Sequence, residues 1–129
     1  MTPKVLTIDE LHHKAEKMQA YLDAKPDDTE PNMLIERLEY LGIMISQSGK
    51  MLADAKYYKD KIVNGAIMES LKQAYEEKLS TSTINKFVET SARDYNFLVN
   101  WIDEINSCAG KQHDAIRTLI SYRKAEMTM

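Results

Sequence analysis

The hydrophobic positions of this chain recur in alternating steps of three and four. From Ile84 they fall at 84, 88, 91, 95, 98, 102, 105, 109, 112, 116 and 119, and read Ile, Val, Ser, Tyr, Leu, Ile, Ile, Ala, Gln, Ile and Leu. A comparable seam runs through Leu34, Leu38, Leu41, Ile45, Ser48, Leu52 and Ala55. A heptad seam of this length predicts a long helix that buries one stripe against a neighbour. Ile8, Leu11, Ala15, Met18 and Leu22 make a third, shorter stripe. We therefore expect an all-α fold in one domain, 1–129: a short N-terminal helix plus a long antiparallel helical hairpin. The helices are expected at about 8–23, 31–79 and 84–125.

The boundaries carry their own chemistry. Thr7-Ile8-Asp9-Glu10 is a capping box, in which the Thr7 hydroxyl accepts from the Glu10 amide and the Glu10 carboxylate reaches back. Leu6 and Leu11 are spaced for the hydrophobic staple that accompanies it. Pro26 is placed to stop the first helix and Pro31 to open the second. The second helix loses regularity beyond Ala55, and Asn64-Gly65 is a candidate kink. Ser80-Thr-Ser-Thr83 is the expected loop, with one of its hydroxyls capping the third helix. A connection this short implies antiparallel neighbours.

Centring the hairpin on that loop sets side-by-side partners. Gly42 is expected opposite Ser121 and Gly49 opposite Asp114, with Gln47 and Lys50 across from the turn that holds His113 and Arg117. Gly42 and Gly49 share one face. They leave room for the first helix to cross, the preferred reading, or for a ligand. The first helix is too short to cover the whole hairpin. The loop-end half keeps apolar residues on several sides, and Tyr57, Tyr58, Phe97, Trp101 and Ile105 are expected at an interface. That excess predicts a homo-oligomer, a dimer or higher, completing a helical bundle.

Composition changes this picture little. Hydrophobic residues make up 43% and charged residues 29%, ordinary for a folded chain, while four glycines and three prolines suit long helices. A net charge of -3 lacks the basic excess of a non-specific nucleic-acid binder. No segment has the length of a signal peptide or a membrane span, so a cytoplasmic protein without membrane association is expected. Cys108 is read as a small, partly buried filler beside the seam.

No strong catalytic or cofactor motif is present: there is no GxGxxG, P-loop, CxxC or HExxH. Catalytic residues, metal ligands and cofactors are each expected to be none. His12 and His13 diverge around a helix and cannot easily share a metal. Glu10 and His13 have the Glu-x-x-His spacing of di-iron bundles, but in one copy on a peripheral helix. The polar cluster with most to offer lies near the C-terminus. His113, Arg117, Ser121 and Lys124, with Gln47 and Lys50 across the hairpin, are candidate ligands for a phosphate or nucleotide. A solvated basic helix end, favoured by the helix dipole, is the plainer reading of the same residues.

Residues 111–127, including Arg117, Leu119, Ser121 and Lys124-Ala-Glu-Met127, resemble the C-termini of small all-helical proteins encoded by phages and prophages, whose role is mostly unassigned. The resemblance implies a phage-related protein and transfers no active site. The expected function is that of a non-enzymatic, self-associating helical protein that binds a protein partner. The alternatives are capture of a nucleotide or other phosphorylated ligand, and accessory nucleic-acid binding.

Overall fold

The computed structural model describes residues 4–25 and 29–127. Three helices follow in order: α1 (Ile8–Asp23), α2 (Pro31–Glu77) and α3 (Thr81–Met127). The two long helices have 47 residues each, about 70 Å at 1.5 Å per residue. They pair antiparallel along their length, and α1 lies on one side of the pair. Pro26, expected to end α1, lies outside the described residues.

The helix starts obey local chemistry. Thr7 accepts from the Glu10 amide at 3.2 Å, and its hydroxyl donates to the Glu10 carboxylate. Leu6 packs half-buried against the core and Leu11 is fully buried, as a staple requires. Pro31 occupies the first turn of α2, where its missing N–H leaves no bond unmade. The helix continues through Asn64 and Gly65 without a break.

The reversal lies earlier than the sequence suggests. Residues 78–80 connect the helices, and Thr81, Ser82 and Thr83 already form the first turn of α3. Ser80 is the cap: its hydroxyl accepts from the Thr83 amide at 3.2 Å, and its carbonyl accepts from Ile84. Lys78 ends α2 in the left-handed region, at φ 54 and ψ 49, and donates its N–H to the Ala74 carbonyl. A residue with a Cβ pays about 1 kcal/mol there that glycine does not. Lys78→Gly is therefore expected to stabilise the fold by about 0.5–1 kcal/mol, read as a higher urea midpoint with an unchanged slope.

The core follows the seams with one displacement. None of the eleven α3 seam positions is exposed, and Leu98, Ile102, Ile105, Ala109 and Ile116 are buried. On α2 the buried line is Leu34, Arg37, Leu41, Met44, Ser48, Met51 and Ala55. Leu38, Ile45 and Leu52, the expected seam members, are half-buried on the other flank. The displacement is the footprint of α1. Leu11, Ala15, Met18 and Leu22 press onto the side that carries Arg37, Met44 and Met51 and seal it from water. Contacts at both ends give α1 its direction. Its entry segment meets Asp54 and its last turn meets Arg37 and Gln112, so α1 runs antiparallel to α2 and parallel to α3. Among the described residues no helix is long and apolar enough to cross a membrane.

Candidate functional site

Polar links hold α1 and its entry segment in place. At its C-terminal end, the Arg37 guanidinium donates to the Tyr21 carbonyl at 3.2 Å and to Gln112 Oε1 at 2.8 Å. Gln112 in turn donates to the Leu22 carbonyl at 3.0 Å. Residues from α2 and α3 thus satisfy two of the carbonyls that a helix end leaves open, and a cation sits at the negative end of the dipole. The guanidinium also lies 4.4 Å from the centre of the Tyr21 ring. Burial raises the Tyr21 phenol above its ordinary value and the Arg37 charge opposes the rise, so the phenol is neutral at pH 7.

The other links lie further along the hairpin. Trp101 donates its indole N–H to Gln19 at 3.0 Å. Asp54, buried on α2, accepts from the Leu6 amide at 3.0 Å and from Lys50, whose ammonium also reaches the Lys4 carbonyl. Between α2 and α3, fully buried Ser48 accepts from Asn106, which donates to the Ile45 carbonyl as well. These polar residues favour one register: the Asn106 bonds to Ser48 and to the Ile45 carbonyl form in this alignment and would be lost in a shifted one.

That alignment separates the expected ligand cluster. Ser48 meets Asn106, and a Cβ on Gly42 would lie 3.9 Å from His113 Nε2. Gly42 was expected opposite Ser121, so α3 is displaced by about eight residues, ~12 Å at helical rise. Gln47 and Lys50 line a shallow pocket with Lys4, Leu6 and Lys14, away from Arg117 and Lys124. Lys50 is engaged with Asp54. His113 is half-buried with its Nδ1 3.9 Å from the Asp114 carboxylate, and Arg117 and Ser121 are exposed on α3. Lys124, with Arg123, borders an apolar cavity of about 190 Å³ formed by Pro31, Leu34, Ile35 and Ile120 where the two long helices end together. The six residues do not converge on one ligand. Cys108 is half-buried, with Gln112 Nε2 3.8 Å from its sulfur. Among the described residues no group of three or more His, Cys, Asp or Glu side chains could hold a metal ion.

The expected interface residues divide as well. Ile105 is buried in the chain's own core, and Trp101 is half-buried against α1. Tyr57 and Phe97 are exposed, and Tyr58 is half-buried with its ring edge-on to Tyr57. Exposed apolar side chains lie at both ends of the hairpin: Met68, Leu71 and Tyr75, at 68%, 56% and 91% exposed, sit nearer the loop than expected, and Met33, Ile35, Tyr40 and Ile43 are exposed toward the open end. Where α1 ends, its lane between α2 and α3 stays open. A groove of about 500 Å³ runs past Ile62, Gly65, Ala66, Phe87 and Tyr95, with Lys61 and Glu69 at its edge. Tyr95 also borders a second cavity, of about 340 Å³, against Ile8 and His12 at the start of α1.

Arg37, Asn106, Asp54 and Gln19 are the polar positions that sequence reasoning missed. Arg37 is three residues after Leu34 and seven before Met44, a spacing that marks an inward line. Asn106 and Asp54 each adjoin a seam residue, a much weaker sign. Comparison with family models, with characterised proteins and with solved structures found nothing that matches this chain.

Proposed function

We propose that this chain is a non-enzymatic helical protein that self-associates and binds a protein partner through the loop-end half of its hairpin. The observation that carries this reading is the open lane beyond α1. In the covered half, α1 occupies the groove between the long helices. In the loop-end half the same groove is unfilled and lined by Ile62, Gly65, Ala66, Phe87 and Tyr95. An amphipathic helix laid into such a groove buries apolar surface at about 25 cal/mol per Å². The resemblance of residues 111–127 supports a phage-related setting, and the absence of a spanning helix among the described residues fits a protein acting in the cytoplasm.

A second reading, capture of a nucleotide or other phosphorylated ligand, has one observation in its favour. Arg123 and Lys124 border the apolar cavity at the open end of the hairpin, so a ligand with an anionic group and an apolar body would meet both. Native mass spectrometry of gently purified protein separates the two readings. The first predicts an oligomer, with a mass of two or more whole multiples of 14.8 kDa. A monomer carrying extra mass of nucleotide size would favour the second instead.

A further inference from the structure

Gly65 occupies the middle of a 47-residue helix, where glycine is a poorer helix former than alanine. Among the described residues, no atom beyond its chain neighbours and its own helical backbone lies within 4 Å of the position its Cβ would take, so packing among them gives no reason for it. The residues around it are arranged symmetrically. Lys61 stands four before Gly65 and Glu69 four after. Ile62 stands three before and Met68 three after, and Tyr58 and Lys72 are seven away on either side. Spacings of three, four and seven put all of them on one face of α2. Among the described residues neither Lys61 nor Glu69 has an ion pair within the chain.

We infer that a second copy of this chain docks here, α2 against α2 and antiparallel, with the two-fold axis passing over Gly65. About such an axis, each residue before Gly65 faces the one equally far after it in the other copy. Lys61 then meets Glu69 of the second copy, twice. Ile62 meets Met68, and the Lys72 ammonium meets the Tyr58 ring. The missing side chain at Gly65 lets the two backbones approach at the crossing. Opposite charges at matched distances from the axis favour this register over a slide of one turn, which would leave them without partners. The inference rests on the self-association reading and assigns its geometry.

Cross-linking tests it in the full chain carrying Cys108→Ser, which removes the native thiol. Adding Gly65→Cys is expected to give a disulfide-linked dimer under mild oxidation, with circular dichroism confirming the fold. Lys61→Glu and Glu69→Lys are each expected to weaken dimerisation by at least roughly tenfold, and the two together to restore it. If the chain stays monomeric up to about 100 µM, both this inference and the self-association reading fail. If it dimerises but Gly65→Cys does not cross-link and charge reversal has no effect, the docking mode fails and self-association stands.

Discussion

Replacing Arg37 with alanine is expected to cost about 3 kcal/mol and to release α1 before the rest of the molecule unfolds. Arg37 is buried, at 8% exposure. Its hydrogen bonds to the Tyr21 carbonyl and to Gln112 are charge-assisted, a class worth about 1.5–3 kcal/mol each. Alanine leaves Gln112 Oε1 without its donor, leaves the Tyr21 carbonyl with only the Ala24 amide at 3.3 Å, and removes the cation from the negative end of α1. Arg37→Lys should recover only part of the loss, since an ammonium lacks the planar fork and stacks less well on the Tyr21 ring. Trp101, the only tryptophan, bonds to Gln19 on α1, so its fluorescence reports α1 docking while circular dichroism reports the whole fold. The two signals should coincide in the parent chain and separate in Arg37→Ala, with fluorescence changing first. A loss under about 1 kcal/mol with coincident curves would mean that the polar lock contributes little.

Leu41→Ala is expected to have the other large effect, about 3–4 kcal/mol. Leu41 is 0% exposed on α2 and sits between Arg37 and Met44 on the line that α1 seals. Removing its branched end opens a cavity in a region braced by three helices, with little freedom to collapse. Ile43, two residues along and 55% exposed, is the control. Ile43→Ala should change stability by no more than about 0.5 kcal/mol. Urea melts of the two variants read the contrast directly. Equal losses would mean that the α2 seam faces differently from the structure described here.

These two positions also separate what was legible in the sequence from what was not. Three helices, their capping box and the α3 seam repeat locally, and local repetition can be read from one chain. The α2 seam was legible only to within one residue. Leu38, Ile45 and Leu52 fit the period as well as Arg37, Met44 and Met51, and only the docking of α1 decides between the two flanks. The reversal was misplaced because Thr81, Ser82 and Thr83 look like loop residues but serve as the first turn of α3. Lys78, in turn, adopts a left-handed conformation that no glycine signals.

The candidate site inherited that error. Gln47 and Lys50 joined the His113–Arg117 turn only under a register about two helical turns out of place. The residues that set the true register, Ser48, Asn106 and Gln112, are polar, and their worth depends on partners from other helices. Surplus apolar surface in the loop-end half was legible as an excess. Its centre was not: Ile105 and most of Trp101 belong to the chain's own packing, while Met68, Leu71 and Tyr75 face outward.

Hydrogen–deuterium exchange at two protein concentrations tests the central claim most directly. If the loop-end half is the association surface, dilution should speed exchange in residues 58–77 and 81–97 and leave residues 34–55 and 98–116 unchanged. Exchange that is independent of concentration throughout, or that slows on association only at the end bearing Pro31 and Lys124, would contradict it.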